Sequence, residues 1–361
     1  MYLSRRSLWV LFACSLLLIL SITSCSGLGA PPPSDSVNSM TLNVGQTSSA
    51  VGYFPLYVAL QKQYFKAQGL TLNPTVPPVL GTGAKMAAAI ESNSIELAGG
   101  GVITDAFTVS RIDSQIRLLG ALTNGYFIDV TISKRFAQQA HLSAASSLEQ
   151  KVKALVGKKI GITSPGSGTE ALMIYLFRIY GYDVKRDAIL VNLGGTETAA
   201  LAALSTGRVD AISFFSPAGQ EAEAAGIGDL FISPDRGDIP AMQGQLHGVF
   251  YTKQTVIDTK PKAVLAFIRA IAQAEDFIQK QPDQAMGLLE KYLHLRDMQV
   301  TRPVFDAIGP TFAQNPQISQ KAYDEANEFH LKAGLIAIAL PYKDMVATDT
   351  IKKALSQRLS S

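Results

Sequence analysis

The sequence predicts an α/β protein of two lobes, each a mostly parallel sheet flanked by helices, with two strands that cross between the lobes. Three observations predict this fold class. Strand-like and helix-like segments alternate from Met40 onward, one strand–loop–helix pattern occurs twice, and a β-rich run follows each copy. Such alternation is typical of parallel sheets, because two parallel strands need a long crossover between them.

The composition is compatible with a chain that folds into two large units. The protein has 361 residues, of which 47% are hydrophobic and 17% are charged, so a large core can be buried. Its aromatic residues are scattered and it has no basic run, which argues against nucleic-acid binding.

The first copy of the repeated pattern begins with a strand over residues 41–45. A polar loop leads to a helix over residues 55–67, which Gly69 ends as a C-cap. A second strand is expected to end near Leu80.

A Gly-Thr-Gly turn at residues 81–83 opens the next helix, which is expected to end near Ser92. Residues 95–98 then form a third strand, which ends in a glycine run at residues 99–101. Glycines at these turns would let the backbone approach a ligand closely.

The second copy contains the segment GITSPGSGTEALM at residues 161–173, in which a strand passes to a helix through a loop of small residues. The remaining elements follow the order of the first copy: strands at 159–162, 189–193 and 209–212, a helix over 171–180 capped by Gly181, and a second helix opened by Gly194-Gly195-Thr196.

Residues 81–98 align without a gap on residues 195–212. A Gly-Thr pair matches a Gly-Thr pair, and Ile95-Glu96 matches Val209-Asp210. A generic strand–helix–strand register could give part of this match by chance. The matched order of the whole unit is better explained by two similar lobes.

Two β-rich runs connect the copies. Phe127 to Ser133 is expected to carry the chain from lobe one to lobe two, and Gly248 to Thr252 to carry it back. Two lobes joined by two crossings enclose a cleft with a hinge, which is a natural site for a small ligand.

From Pro261 the chain is mostly helical, to about Leu359. This tail is assigned to lobe one because two crossings return the chain there. Lobe one is therefore predicted to comprise residues 40–127 and 248–361, and lobe two residues 128–247.

The N-terminus has the pattern of an export signal. Arg5 and Arg6 precede an apolar run over residues 8–22, which is short for a membrane span. The paired arginines also fit a twin-arginine signal, but the very apolar core favours general secretion. The run ends in Ile22-Thr23-Ser24-Cys25, which resembles the bacterial lipobox. Residues 1–24 are thus predicted to be a lipoprotein signal peptide and Cys25 the lipidated residue; an ordinary signal peptide with a chance cysteine is the alternative.

Residues 25–39 are predicted to be a disordered tether, rich in Gly, Pro and Ser. Cleavage after residue 24 would remove Cys14 and leave only the lipidated Cys25, so disulfide, zinc and cysteine-nucleophile chemistry are not expected. It would also remove two arginines and no acid, which takes the formal net charge from +3 to +1.

Several motifs, taken together, resemble one family. Pro55-Leu56-Tyr57-Val58-Ala59 followed by residues 64–70, YFKAQGL, is similar to a "PLxVA…GxFxxxGL" segment. Residues 157–161 resemble its "GKKIGV" strand and residues 207–211 its "GxVDA" strand. The family is that of ABC-transporter solute-binding proteins for sulfonates, taurine, nitrate and thiamine-type pyrimidine precursors, and the likeness runs from about residue 40 to at least 290.

The resemblance implies a type II periplasmic-binding fold that closes on its ligand and delivers it to a membrane permease with an ATPase. Two departures stand out. Gln63 occupies a position where the family usually has Gly, and residues 213–217 lack the tryptophans of many sulfonate binders. The missing tryptophans argue against an aliphatic sulfonate, and the scarcity of cations near the expected cleft argues against a multiply charged anion.

Ligands of open α/β sheets bind beyond the carboxyl ends of the strands. Those ends are rich in Gly, Ser and Thr here, and they open helices, whose free N–H groups favour anions. Each such start could also be an ordinary capped helix; Ser167 with Glu170 fits a capping box. The candidate ligand-binding residues in these turns are Ser48, Ser49, Gly81, Thr82, Gly100, Gly101, Ser164, Gly166, Ser167, Thr169, Gly195 and Thr196.

Aromatic and polar residues flank the same turns. The aromatic candidates to contact a flat ring or an alkyl chain are Tyr53, Phe54, Tyr126, Phe127, Phe214 and Phe215, although one of each adjacent pair should face the core. Asn124 and His247 precede the two crossings and are candidates at the hinge; a turn residue and a structural histidine are the alternatives.

The sequence therefore predicts an extracytoplasmic, lipid-anchored, monomeric solute-binding component of an ABC importer, with partners in a permease and its ATPase and without a cofactor or metal. Its expected ligands are a sulfonate, nitrate, taurine or a pyrimidine-like precursor. Two alternatives share the fold: an enzyme of thiamine-pyrimidine synthesis, and a surface sensor or adaptor. The enzyme reading is disfavoured because the cysteine-rich motif of those relatives is missing, as are H-E-x-x-H, G-x-S-x-G and Walker motifs.

Overall fold

The computed structural model describes residues 39–142, 145–294 and 298–356, with side chains described from 301 in the last range. The predicted signal peptide, the lipidation site Cys25 and most of the predicted tether lie outside the described residues.

The strands of the described chain are β1 (Thr41–Gln46), β2 (Thr71–Asn73), β3 (Leu97–Val102), β4 (Ile116–Thr123), β5 (Ile128–Ser133), β6 (Lys159–Ile162), β7 (Ile189–Asn192), β8 (Ala211–Phe215), β9 (Gly228–Ile232) and β10 (Gly248–Lys253).

The helices are α1 (Phe54–Gln61), α2 (Tyr64–Ala67), α3 (Gly83–Glu91), α4 (Ile103–Ser110), α5 (Lys134–Ala140), α6 (Leu148–Ala154), α7 (Gly168–Ile179), α8 (Val184–Asp187), α9 (Glu197–Ser205), α10 (Ala218–Ala224), α11 (Gln254–Thr259), α12 (Pro261–Lys280), α13 (Pro282–Tyr292), α14 (Met298–Ile308), α15 (Gln320–Lys332), α16 (Tyr342–Met345) and α17 (Thr348–Ser356).

The strands form two sheets, which confirms the predicted α/β class. The sheet of lobe one has the order β2-β1-β3-β10-β4, and the sheet of lobe two has the order β7-β6-β8-β5-β9. In each sheet one strand runs antiparallel to its neighbours: β10 in lobe one and β5 in lobe two. These two strands are the predicted β-rich runs.

Each sheet is covered by apolar side chains on both faces, as expected for largely parallel sheets. In lobe one, Val44 and Phe250 pack on one face with α12, and Val249 packs on the other. Helix α12 supplies Phe267 to the first of these cores. Within the described residues, no helix combines the length and apolar character needed to cross a bilayer.

The predicted helix over residues 55–67 is divided in two, because Gln63 adopts a left-handed backbone conformation with φ of 57°. This position is one where the family resembled by the sequence usually has Gly. A left-handed residue is unstrained only as glycine, which gives the family preference its physical reason.

Other element boundaries also differ from the prediction. Strand β2 ends at Asn73 and not near Leu80, because Pro74 follows and has no N–H group for the ladder. Only an isolated bridge at Val79 rejoins β1. The glycines at 99–101 lie inside β3, where small residues make room for neighbouring rings. Elements α4 and β4 have no counterpart in the prediction.

Helix α15 of the C-terminal tail contacts both lobes. Its Tyr323 packs against Phe107 of lobe one, and its Phe329 packs against Tyr175 of α7 in lobe two. The ring centroids of Phe329 and Tyr175 lie 4.9 Å apart. The tail therefore braces the two lobes as well as covering the sheet of lobe one.

Candidate functional site

The candidate site lies where the two sheets face each other. Strands β1, β3 and β4 end and β10 begins at this edge of lobe one, while β6, β7, β8 and β9 end and β5 begins at the facing edge of lobe two. The turns that follow these strand ends contain most of the ligand-binding residues predicted from the sequence.

The two lobes touch through Gly81 and Gly195. A β-carbon placed on Gly195 would lie 2.3 Å from the carbonyl oxygen of Gly81. These two glycines are the matched residues of the sequence repeat, so equivalent turns of the two lobes meet. No side chain larger than hydrogen fits at Gly195 in this arrangement.

A group of buried polar side chains lies beside this contact, and we call Thr47, Tyr53, Asp105, His247 and Tyr251 the polar cluster. Each of them is at most 5% exposed. The Tyr53 and Tyr251 rings lie on the glycines of β3: a β-carbon on Gly100 would lie 3.0 Å from Cγ of Tyr53, and one on Gly101 would lie 2.9 Å from Cε1 of Tyr251.

Asp105 is the acid of the polar cluster and lies in the first turn of α4. Thr47 donates a hydrogen bond from Oγ1 to Asp105 Oδ2 at 3.3 Å. A β-carbon on Gly83, at the start of α3, would lie 2.0 Å from Asp105 Oδ1, so only glycine admits the carboxyl group there. Burial raises the pKa of Asp105 to about 7, against the opposing effect of the Thr47 hydrogen bond.

The hydroxyl groups of Tyr53 and Tyr251 have no hydrogen-bond partner among the described residues. The Ser48 side chain lies close enough to oppose the rise in the pKa of Tyr53, but without the geometry of a hydrogen bond. Burial raises the pKa of both tyrosines well above the usual value, and the charge of Asp105 raises it further. Both hydroxyl groups therefore stay protonated and can donate hydrogen bonds.

His247 lies immediately before β10, where the chain returns to the sheet of lobe one. Its ring centroid lies 3.8 Å from that of Tyr126 and 4.7 Å from that of Phe127. Neither ring nitrogen has a partner among the described residues. Burial, and then the nearby His330, lower the pKa of His247 well below its usual value, so the imidazole is neutral and offers one donor and one acceptor.

Lobe two contributes the start of α7 to the same place. Tyr126 donates a hydrogen bond from its hydroxyl to the carbonyl oxygen of Gly168 at 2.7 Å. A β-carbon on Gly168 would lie 3.5 Å from Cε1 of His247. The N-terminal turn of α7 therefore faces Tyr126 and His247.

The hydroxyl groups of the loop before α7 are bonded mainly to one another. Ser167 Oγ donates to the carbonyl oxygen of Ser164 at 2.7 Å, and the backbone N–H of Thr163 donates to Thr169 Oγ1 at 3.0 Å. Ser167 caps the helix by accepting from the Glu170 N–H, but the Glu170 carboxylate accepts from the Gly166 N–H and not from Ser167. The predicted capping box is therefore only half formed.

The other candidate residues divide by burial. Ser48, Phe54, Ser164 and Phe214 are buried, and Phe54 and Phe214 belong to the apolar cores. Phe215 is half-buried and packs on Phe127, with ring centroids 6.3 Å apart. The remaining candidates are half-buried or exposed: Ser49, Thr82, Asn124, Gly166 and Thr196.

Three of these have backbone or capping roles. Thr82 caps α3 by accepting a hydrogen bond from the Lys85 N–H. Asn124 donates its backbone N–H to the Thr311 carbonyl oxygen at 2.7 Å. Thr196 stands at the N-cap of α9 without a side-chain cap bond.

Sequence reasoning missed Thr47, Asp105 and Tyr251. Thr47 follows β1 directly, and Asp105 is a first-turn acid directly after the glycine run, so both carried a usable signal. Tyr251 lies inside β10, and its position over Gly101 depends on the antiparallel register of β10 and β3, which the sequence does not reveal.

Carboxyl groups also line the facing edge of lobe two. Asp129 is 2% exposed; its Oδ2 accepts from Ser216 at 2.6 Å, while Oδ1 has no partner among the described residues. Burial and the charge of Asp129 raise the pKa of Asp235 to about 8. Burial and the charge of Glu221 raise the pKa of Glu197 to about 8.

The two sheets, each of five strands flanked by helices, define the periplasmic-binding-protein fold. Residues 35–290 match the NMT1-like family, and the chain belongs to this family. No curated protein matches the chain significantly. The described part of the chain contains no group of three or more His, Cys, Asp or Glu side chains arranged to hold a metal ion.

Solved structures share the fold at low sequence identity. A protein of Bordetella bronchiseptica is 20% identical, with a TM-score of 0.75 over 89% of this chain and 98% of that one. The alkanesulfonate-binding protein of Xanthomonas axonopodis pv. citri, solved with MOPS bound, is 17% identical, with a TM-score of 0.65 over 86% and 99%. The nitrate-binding protein of Synechocystis is 13% identical, with a TM-score of 0.63 over 88% and 89%.

Proposed function

We propose that this protein is the extracytoplasmic solute-binding component of an ABC importer, held at the cell membrane by a lipid on Cys25. It binds one small ligand between the lobes without chemical turnover. We propose that this ligand is a sulfonate, nitrate, taurine or a pyrimidine-like precursor. Membership of the NMT1-like family and the solute-binding relatives of known structure support this proposal.

The main support for the proposal is that three side chains of the polar cluster have buried polar atoms without a hydrogen-bond partner among the described residues. Buried polar groups normally have partners, and leaving one without a partner costs about 1–3 kcal/mol. Tyr53, Tyr251 and His247 together leave four polar atoms buried and unpaired among the described residues. A ligand between the lobes would supply the missing partners.

The geometry around the polar cluster supports binding by closure. The lobes are joined by short segments near Asn124 and His247, and their equivalent turns meet at Gly81 and Gly195. A ligand that bonds to groups from both lobes would favour the state in which these turns are in contact, because only that state satisfies all of its bonds.

The proposal is tested by measuring the distance between the lobes. Cysteines at Glu91 and Ser205, the matching ends of α3 and α9, would carry spin labels on the mature chain with Cys25→Ser. Both positions are exposed, so labels should leave the fold intact. The ligand panel consists of a sulfonate, nitrate, taurine and a pyrimidine-like precursor, together with fractions of a bacterial small-molecule extract. A member of the panel that binds is expected to give a shorter mean distance and a narrower distance distribution.

A distance distribution that no panel member and no extract fraction changes would contradict the proposal. A matched label pair within lobe one, at Glu91 and Asp258, should show no change in any condition, since both positions lie on the same rigid lobe.

A further inference from the structure

The edges of the two sheets that face each other are acidic. Helices α4, α7, α9 and α10 each begin at this edge, and each has an acid in its first turn. Asp129 and Asp235 lie at the same edge of lobe two. The acids are Asp105, Asp129, Glu170, Glu197, Glu221 and Asp235.

Few basic side chains balance these acids. Arg236 is the one that acts on Asp129, and it is already bonded to Asp238 at 2.6 Å. Lys185 reaches Glu170 only at 3.7 Å from an exposed position. Among the described residues no lysine or arginine influences the pKa of Asp105, Tyr53 or Tyr251.

A first-turn acid often serves only to stabilise its helix, and that explanation suffices for Glu170, whose carboxylate bonds to the Gly166 N–H. It does not suffice for Asp105. Asp105 is buried and its charge acts on Tyr53 and Tyr251, whose hydroxyl groups have no partner among the described residues, and helix stability does not require this arrangement.

The polar cluster contains an acid and no cation, which favours a positively charged ligand over an anion. A buried anion requires a cation or a set of free N–H donors, and here it would lie close to the carboxyl group of Asp105. The neutral His247 cannot supply positive charge, and the loop before α7 uses its hydroxyl groups internally. Asp105, by contrast, would gain a partner from a positively charged ligand.

Building on the proposed function, we infer that the ligand of this protein is a small organic cation whose ammonium or amidinium group pairs with Asp105, while Tyr53, Tyr251 and His247 bond to its remaining polar atoms. Within the range carried from the sequence, this favours the amino end of taurine or a protonated pyrimidine over a sulfonate or nitrate. It also requires that Phe127 and Tyr126, which flank His247, line an aromatic wall of the site.

The test compares two probes of similar shape and opposite charge, benzamidinium and benzenesulfonate, by titration calorimetry up to 10 mM. Benzamidinium is expected to bind the wild-type protein at least tenfold more tightly than benzenesulfonate. Asp105→Asn is expected to weaken benzamidinium binding by about tenfold to a hundredfold, the effect of losing one charge-assisted hydrogen bond. Glu91→Gln, an acid exposed at the far end of α3, should leave binding unchanged.

Tyr251→Phe provides a second variant that keeps the ring on Gly101 and removes only the unpaired hydroxyl group. It is expected to weaken benzamidinium binding several-fold, whether or not Asp105→Asn folds. Tighter binding of benzenesulfonate, or binding of neither probe, would overturn the inference. Lobe closure with an anion in the spin-label experiment would also overturn it while supporting the proposed function; absence of closure with any compound would instead contradict the function itself.

Discussion

The carbonyl oxygen of Gly81 lies 2.3 Å from the position that a β-carbon on Gly195 would occupy. The two glycines are equivalent residues of the two lobes, 114 positions apart in a gapless alignment of residues 81–98 with 195–212. Each opens a helix, α3 or α9. The repeat thus brings the same turn from each lobe to one point of contact, and the contact requires a residue without a side chain.

Substitution of Gly195 should therefore affect ligand binding more than folding. In Gly195→Ala the methyl group would collide with the Gly81 carbonyl group, so the lobes could not approach fully, whereas each lobe would still fold. We expect a loss of ligand affinity of about tenfold or more, measured by calorimetry, with a change in unfolding free energy below about 0.5 kcal/mol. Glu91→Ala removes an exposed side chain at the far end of α3 and serves as the control; an unchanged affinity in Gly195→Ala would contradict the prediction.

Gln63 offers a test of backbone strain. Its φ of 57° is a left-handed conformation that costs a non-glycine residue about 1–2 kcal/mol, partly offset by the greater unfolded-state entropy of glycine. We expect Gln63→Gly to raise the free energy of unfolding by up to about 1 kcal/mol and Gln63→Val to lower it. Denaturant titration measures both. Gln61→Gly, in the last turn of the preceding helix, should be destabilising and makes the comparison specific.

Because His330 is buried, we expect the free energy of unfolding to depend on pH. Its Nε2 lies 2.8 Å from Thr104 Oγ1 and its Nδ1 lies 2.6 Å from the Ala326 carbonyl oxygen. Burial lowers its pKa from 6.5 to about 4, although the Ala326 bond opposes this. The unfolded state therefore binds more protons between pH 4 and 6.5, so this stabilisation is complete above pH 6.5 and is lost as the pH falls toward 4.

The size of that effect is about 3 kcal/mol, from 1.36 kcal/mol per pKa unit. Denaturant titrations of wild type and His330→Gln at pH 4.5 and 7.5 isolate it: the difference between the two proteins should be larger at pH 7.5. A difference independent of pH would show that the imidazole does not titrate as described.

Asp105 should change the free energy of unfolding with pH in the opposite direction to His330. Burial raises its pKa from 3.8 to about 7, so the folded state binds more protons than the unfolded state between these values. Stability should fall as the pH rises from 4 to 7, by up to about 4 kcal/mol, and Asp105→Asn should remove this part of the slope. Tyr53, Tyr126 and Tyr251 lie near Asp105, and burial raises their pKa values well above the usual value, so they do not titrate in this range. His330, bonded to the adjacent Thr104, has a pKa of about 4, and its contribution has the opposite sign and remains in Asp105→Asn.

A bound cation should reverse this penalty, since it stabilises the ionised carboxylate. Saturating benzamidinium is thus expected to stabilise the wild-type protein more at pH 8 than at pH 5, measured by thermal unfolding. An equal stabilisation at both pH values would count against a charged pairing with Asp105.

Much of the fold could be predicted because it depends on local patterns. The two crossing strands, the helix opened by Thr82 and the cap at Ser167 follow from hydrophobic periodicity and capping residues, which act over a few positions of the chain. The division of the helix at Gln63 was not predicted, because glutamine does not indicate a left-handed backbone conformation.

The site was less predictable for a different reason. Ser167 and Thr169 stood out as possible ligand donors, but their hydroxyl groups are occupied by neighbours within the same loop, a matter of distances of about three ångströms that composition cannot reveal. Whether these residues also contact a ligand stays a prediction.

The sequence by itself determined the α/β class, the repeat and the turns at the strand ends, because short-range patterns specify secondary structure and its order. Only the tertiary structure decided which side chains meet there. Strand register placed Tyr251 over Gly101, and the packing of α4 against α3 placed Asp105 at Gly83. Burial of these groups away from solvent then set their protonation, and that property belongs to the assembled environment and not to any residue alone.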